Sequence, residues 1–383
     1  MKIVIASDSY KGSLTAKEVA DAIEKGLLRY DDEFEIVKVP MADGGEGTVQ
    51  SLVDATGGEI ITLKVKDPLL REVDSFYGIL GDGKTAVIEM AAASGLPLLS
   101  AEEKNPLIAS SYGTGELIKD ALDKGCRKFI IGLGGSATND AGAGMLKALG
   151  VELLDGKGKQ IPEGGIGLAD LESIGIDGLD PRIRESTIKV ACDVDNPLYG
   201  PEGASHIFGP QKGADKNMVE ELDEALVNFA KTVKNTLEID VGDIKGGGAA
   251  GGLGAAMVAF FGADLNKGVE IVIEQTKLKN LMQGADLVIT GEGMIDYQTR
   301  FGKTPYGVAQ TAKKQNIPVI ALAGGIGSNA EILYEYGFDS IFSIVDKPMT
   351  LDESMENTSE LLEKAASRII RVFMLNQETN DFL

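Results

Sequence analysis

Histidine is almost missing from this 383-residue sequence: His206 stands alone, tryptophan is absent, and the only cysteines are Cys126 and Cys192. A Ser-His-Asp relay or a zinc cluster needs more imidazole and thiolate than that, so both are set aside. A general base must then be Asp, Glu, Lys or Tyr, and a catalytic metal is expected to be a hard, oxygen-bound cation such as Mg²⁺. His206, in GASHIFGP, reads as structural. The cysteines form no CxxC pair and read as two buried thiols of a cytosolic protein. Positive charge is also scarce. Lys and Arg total 37 against 59 Asp and Glu, a net charge of -22, which opposes nucleic acid and anionic membrane as partners. Long apolar runs are lacking too: Ile3 to Ala6 is far too short for a secretory leader and meets Asp8 at once, so a cytoplasmic location is expected. The longest uncharged stretch, Gly246 to Ala263, has 13 Gly or Ala among its 18 residues, a poor membrane span. It reads as a glycine loop leading into a buried helix, Leu253 to Phe261.

What is present alternates between strand and helix. Lys2 to Ser7 is a β-rich run, Thr15 with Glu18 forms a capping box, and Ala16, Val19, Ala20, Ile23 and Leu27 share one helical face. Phe34 to Val39 is a second strand. The alternation returns late, with Leu287 to Thr290, a helix opened by Thr304 and Pro305, Val319 to Ala323, a helix begun by Ser328 with Glu331, Ile341 to Val345, and a long amphipathic helix from Glu353 to Phe373 capped by Thr350. Fully apolar strands joined by helices need cover on both faces, so the two stretches read as halves of one parallel sheet. Between them the pattern changes: Phe76 to Leu80 and Thr85 to Met90 flank Gly81-Asp82-Gly83 as a hairpin, followed by βα units and glycine-rich loops. The expected organisation is a domain of residues 1–67 and 284–383 with a second α/β domain, 68–283, inserted into it and an active site in the cleft between them. The length suits two domains.

Five segments carry chemistry. DLVITGEGMIDYQTRFGK, Asp286 to Lys303, reads as a strand that stops at an acidic, glycine-spaced turn holding Glu292 and Asp296, and it points to phosphoryl chemistry with a hard cation. Asp8 ends the first strand and Lys11 follows one short loop later, which makes either an anion clamp or a solvated turn. PMADGGEGT places Asp43 and Glu46 among glycines at a strand end, favouring a substrate-hydroxyl site over a tight loop. KFIIGLGGSATNDAGAGM has a GxGxxA spacing with Asp155 downstream, so a dinucleotide fold must be considered. Its Ser136, Thr138, Asn139 and Asp140 better suit hydrogen bonds to phosphates or hydroxyls, and no Walker A sequence occurs. In ACDVDNPLYG, Asp193 and Asp195 precede an Asn-Pro turn, which makes either a base and a metal ligand or an acidic turn.

Taken in order, DSYKGSLTA, PMADGGEGT, YGTGELI, GGSATNDAGAGM, ACDVDNPLYGPEGAS, FGPQKGA, GAAGGLGA and GEGMIDYQT closely resemble the class I glycerate kinases over nearly the whole chain. The resemblance implies ATP-dependent phosphorylation of glycerate with Mg²⁺. It also implies a Rossmann-like (flavodoxin-like) α/β domain built from both termini and carrying a distinct inserted α/β domain. Two positions depart from the family pattern: Met294 stands where Gly-Glu-Gly-Arg-Ile-Asp has its Arg, and Leu70 where Asp-Pro-Leu-Gly-Arg has its Gly. Arg300 is the nearby cation expected to stand in for the first.

Joined to that resemblance, side-chain chemistry suggests roles. Asp193 is the first choice for deprotonating the hydroxyl, Asp296 the second, with Lys11 beside the reacting phosphate. Lys303, Gly134, Gly135, Ser136, Thr138, Gly291 and Gly293 are expected around ATP, while Asp43, Arg71, Asn139 and Asp8 are expected around glycerate. Glu292 and Asp195 are the expected Mg²⁺ ligands, with Asp8 also in its shell. The lean is toward 2-phosphoglycerate as product, and toward a monomer or homodimer. Two other classes compete: an NAD-dependent dehydrogenase of a small hydroxy acid, resting on the GxGxxA spacing, and a non-catalytic sugar-acid binding protein, resting on the two-domain cleft.

Overall fold

The structure, a computed structural model, describes residues 1–380, with side chains described through Leu375. The chain separates into two compact units: Met1–Asp43 with Asp54–Thr56 and Val272–Leu383, and Gly44–Val53 with Gly57–Ile271.

The first unit is built on five parallel strands in the spatial order Ser340–Ser343, Val319–Ile326, Leu287–Ile295, Lys2–Ile5, Glu35–Lys38. Numbered along this unit alone the order is 2-1-3-4-5, read from the opposite edge, which is the flavodoxin-like winding. Ile3, Val4, Ile5 and Leu287 to Ile289 are buried, as strands covered on both faces must be. On one face, helix Ala16–Leu28 opens with the Thr15–Glu18 capping box and packs Val19, Ile23 and Leu27 with Leu361, Leu362, Ala365 and Ile369 of helix Thr358–Asn380. Helix Thr304–Lys313, with Pro305 in its first turn, packs against the Leu287–Ile295 and Val319–Ile326 strands through buried Val308, Ala309 and Ala312.

The second unit has a six-stranded sheet ordered Asp264–Asn266, Thr187–Ala191, Lys128–Gly132, Thr85–Glu89, Glu72–Ile79, Glu59–Lys66. The first four of these strands are mutually parallel; the last two are antiparallel additions. The hairpin read around Gly81-Asp82-Gly83 is there, pairing Gly78 with Val87 and Ile79 with Ala86. The core gathers Tyr77, Phe129, Met145, Phe229 and Met257, all buried.

Four expectations change. The strand at Leu287 does not stop at Thr290 but runs to Ile295, because its neighbour Val319–Ile326 continues beside it to the Ile295–Ile326 pair after Lys2–Ile5 has ended at Ile5. Glu59–Lys66 pairs along its whole length with Glu72–Ile79, so it belongs to the second sheet rather than the first, and the second unit begins well before residue 68. Residues Ala330–Tyr336 wind as a 3₁₀ helix after a left-handed Asn329 instead of an α-helix begun by Ser328. The final helix breaks at Asn357 into Leu351–Glu356, with its Thr350–Glu353 capping box, and Thr358–Asn380. The glycine stretch behaves as read: Ala250, Gly251 and Gly252 are left-handed and the regular helix follows them to Phe261.

Candidate active site

In a 2-1-3-4-5 sheet the crevice for ligand opens where strand order reverses, at the carboxyl ends of the first and third strands. Here those are Lys2–Ile5 and Leu287–Ile295, and the chain places carboxylates at both. Asp8 follows the first strand, and its N–H donates to the Gly291 carbonyl at 2.9 Å. Its Oδ1 accepts from Ser9 N at 2.6 Å and its Oδ2 from the Thr304 hydroxyl at 2.5 Å. Glu292, beside Gly291, accepts from the Thr299 hydroxyl at 2.9 Å and faces Lys303 Nζ at 3.4 Å. Gly291 has no room for a side chain, since a Cβ there would lie 2.2 Å from the Leu322 carbonyl oxygen and 3.1 Å from Tyr10 Oη.

The charges at this point oppose one another. Burial, then the charge of Asp43, then that of Glu292, push the Asp8 carboxyl up to about 7 against the pull of Thr304 and Ser9. Burial likewise pushes Glu292 up to about 7, with Asp43 adding to it and Lys303 and Thr299 holding it back. Asp8, Asp43 and Glu292 therefore form one interacting acidic group with Lys303 as cation at its edge. Hard oxygen donors that repel one another fit a divalent cation of the Mg²⁺ kind, which keeps water and phosphate oxygens and takes only one or two carboxylates. Among the described residues no group of three or more His, Cys, Asp or Glu is placed to hold a metal ion, so a cation here would rest on one or two carboxylates together with water and phosphate oxygens. Asp296 does other work nearby: its side chain accepts from Gln298 N at 2.8 Å while its N–H donates to the same Thr299 hydroxyl that serves Glu292, closing a capping box on Tyr297–Phe301. Lys11 is exposed, its amide 3.8 Å from where a Cβ of Gly293 would sit. Met294 is half exposed, and the Arg300 guanidinium lies over the Phe301 ring with its Nε lacking a hydrogen-bond partner.

The second unit holds the remaining expected residues. Gly134 and Gly135 are exposed at the end of strand Lys128–Gly132, and Ser136, Thr138 and Asn139 are buried on the loop that follows. The parallel neighbour Thr187–Ala191 runs into exposed Asp193 and Asp195, so both loops leave the same end of the sheet. Asp193 Oδ1 accepts from Gly268 N at 3.1 Å. Arg71 is less available than its sequence suggested: its guanidinium already meets Asp67 and Glu103, each at 2.6 Å, so a substrate carboxylate would have to displace an internal one. Leu70 takes φ 62, the left-handed geometry that explains a glycine at this position in the family pattern.

The dinucleotide reading loses its footing. The strand after the GxGxxA loop, Glu152–Leu154, pairs antiparallel with Ser173–Gly175 in a separate two-stranded sheet, so the strand that carries Asp155 does not lie beside Lys128–Gly132 as the dinucleotide fingerprint requires. Asp155 is tied into its own turn, accepting from Lys157 and Lys159 amides. His206 sits 3.9 Å from Asp223, and burial pushes both cysteine thiols up. Sequence reasoning overlooked Thr304, Thr299 and Tyr10 in the first unit and Lys212 in the second. Thr304 was seen only as a helix opener, although a hydroxyl at a helix start beside a strand-end carboxylate is a legible hydrogen-bond donor.

A family model described as the glycerate kinase family matches residues 3–374. The chain belongs to the glycerate kinase family. It is 52% identical over 369 residues to a glycerate kinase of Bacillus subtilis (strain 168), covering 96% of this chain and 97% of that protein. It is 51% identical to a glycerate 2-kinase of Escherichia coli (strain K12), with 96% and 97% covered. A crystal structure of a glycerate kinase 2 from Salmonella typhimurium LT2 superposes with TM-score 0.91 at 51% identity, covering 99% of both chains. As a member of the glycerate kinase family, the protein is a phosphotransferase of the kinase type. No helix among the described residues is long and apolar enough to cross a membrane.

Proposed function

We propose that the protein transfers the γ-phosphoryl group of ATP to a hydroxyl of D-glycerate, giving ADP and phosphoglycerate, with the 2-phosphate favoured. The observation that carries this reading is the Asp8, Asp43 and Glu292 group at the switch point of a parallel sheet, beside Lys303 and the start of helix Thr304–Lys313. The name of the Escherichia coli relative, glycerate 2-kinase, supports the choice of hydroxyl.

In phosphoryl transfer the protein contributes mainly position and charge neutralisation. Lys303 and Lys11 would meet phosphate oxygens, helped by the unpaired amides at the start of Thr304–Lys313. Glu292 and Asp195 would hold Mg²⁺, with Asp8 in its water shell, and Asp43 would lie toward the acid. When bound, that ion supplies neutralisation of phosphate charge. Asp193 would orient the glycerate hydroxyl and take its proton late in transfer, with Asp296 second in line because its carboxylate already caps a helix. Gly134, Gly135, Ser136, Gly291 and Gly293 would lie along the nucleotide, and Asn139 and Arg71 toward the acid. The protein would work in the cytoplasm as a monomer or homodimer.

The test is direct. Purified protein with D-glycerate, ATP and MgCl₂ is expected to release ADP and to give a single phosphorus resonance assignable to the 2-phosphate; a 3-phosphate resonance corrects the regiochemistry. Absence of transfer, with binding of glycerate retained, would favour the sugar-acid binding protein instead.

A further inference from the structure

Lys212 is the largest charged side chain buried among the described residues, 1% exposed, and nothing in the proposed mechanism uses it. It lies in the short 3₁₀ turn Pro210–Lys212 after helix Ala204–Phe208, in the second unit. Its Nζ donates to the Thr138 carbonyl, 2.6 Å away, and among the described residues the ammonium has no ion-pair partner. The charge nearest in effect is Asp140, whose carboxylate is already occupied by the Ser111 amide and hydroxyl and by the amides of Gly142 and Gly144. Burial pulls the Lys212 ammonium down to about 7, a measure of how poorly that charge is compensated.

The same Thr138 carbonyl is pressed from a second side. A Cβ on Gly251, which has φ +68, would lie 2.1 Å from it, and Gly251 in turn accepts from the left-handed Ala141. Residues 138–142 are thus held from two directions, with Ala141 and Gly142 in the left-handed region. Two side-chain atoms on the clamped segment nevertheless have no hydrogen-bond partner: Thr138 Oγ1 and Asn139 Oδ1, both on residues with no exposure. Asn139 Nδ2 is anchored on Ser205, which fixes the amide and leaves its oxygen as the group to be satisfied. Buried polar groups in folded proteins nearly always find partners, so an orphan donor-acceptor and an orphan acceptor on consecutive residues call for a ligand carrying the complement.

We propose that Thr138 Oγ1 and Asn139 Oδ1 form the recognition element for the hydroxy-acid end of the substrate, and that Lys212 is the positioning residue that holds this element in shape through the Thr138 carbonyl. A small hydroxy acid supplies both halves of the complement: a hydroxyl donates to Asn139 Oδ1, and a carboxylate oxygen accepts from the Thr138 hydroxyl. This rests on the glycerate reading above and moves Thr138 from the nucleotide to the acid.

The experiment titrates D-glycerate into the full chain without nucleotide by calorimetry, then measures KM for glycerate and for ATP. Thr138→Val and Asn139→Ala are each expected to raise the glycerate Kd by about tenfold or more, because a site built to hydrogen-bond a hydroxyl binds poorly once a partner is lost. The ATP KM should stay within about twofold, since those groups do not serve the nucleotide. Lys212→Met should weaken glycerate similarly while keeping or raising the melting temperature at pH 6, as the buried charge is gone. Unchanged glycerate affinity in both Thr138→Val and Asn139→Ala overturns the proposal and leaves only a trapped water at these atoms; a rise confined to the ATP KM overturns it in favour of the nucleotide. Parallel loss of melting temperature and of both affinities in Lys212→Met overturns the positioning role. Wild-type protein that binds glycerate but transfers no phosphoryl group sinks the proposed function and not this site.

Discussion

The two units handle buried charge in opposite ways. The first collects like charges: Asp43 and Glu292 add to the raised proton affinity of buried Asp8, Asp43 adds to that of Glu292, and one lysine offsets Glu292 only in part. The second buries a single cation against a carbonyl and leaves neutral side-chain atoms unpaired beside it. Neither arrangement is a stability solution, because a core of the same volume filled with apolar groups would cost less. The difference is one of ligand chemistry. Repelling carboxylates suit a cation and the phosphates it carries, whereas orphan hydroxyl and amide oxygens suit a neutral hydroxyl next to a carboxylate.

The strongest way to break this comparison is to neutralise the first cluster. Glu292→Gln is expected to lower kcat by about 10²–10⁴, the range for loss of a group acting on developing charge, while the melting temperature of the ligand-free protein rises as repulsion with Asp43 and Asp8 is relieved. A variant that turns over normally would show the cluster to be merely structural. Asp193→Asn sharpens the other side. Its kcat should fall by about 10²–10⁴ with ATP binding nearly intact, and a near-normal kcat would remove Asp193 as base.

A smaller effect separates the units by pH. Between the ordinary carboxylate values of 3.8 and 4.5 and about 7, folded Asp8 and Glu292 hold protons that the unfolded chain has released. The folded state binds more protons there, so stability falls as pH rises through that window, by several kcal/mol for the pair at about 1.4 kcal/mol per unit. Lys212 runs the other way. Between about 7 and 10.5 the unfolded chain keeps a proton the folded chain has lost, so its contribution rises with pH. Denaturant midpoints followed from pH 4 to 10 should dip near neutrality, Glu292→Gln should flatten the acid limb, and Lys212→Met the alkaline one. Millimolar MgCl₂ with nucleotide should also flatten the acid limb, and chelation should restore it. The smallest expected effect is Leu70→Gly, which relieves a left-handed leucine and should add about 1–2 kcal/mol in chemical denaturation; no gain would mean that Leu70 packing offsets the backbone cost.

Much of this was legible beforehand for local reasons. Capping boxes at Thr15 and Thr350, the Pro305 helix start and the apolar strand at Ile3 depend on neighbours within a few residues, and all appear where the spacing puts them. The failures share one cause. Leu287–Ile295 outran its expected end because a distant strand, Val319–Ile326, stayed beside it, and residues 59–66, counted with the first domain in the sequence reading, fall in the second unit because they pair with Glu72–Ile79. The pairing of Arg71 with Asp67 and Glu103 was likewise invisible in the sequence, since Glu103 lies far along the chain.

By itself, the sequence determined the alternation of strand and helix, the exclusion of imidazole and thiolate chemistry, and the acidic residues on which a phosphoryl-transfer reading depends, since residue type and short spacing decide those. Tertiary structure alone decided that Asp8, Asp43 and Glu292 share a field, that Thr304 serves Asp8, and that Lys212 stands behind Thr138. Those partners lie 35, 284, 296 and 74 positions apart in order of mention, taking Asp8 with Asp43 and with Glu292 first. Coulomb energy and hydrogen bonds depend on distance through space, which chain position does not encode until the sheets have closed.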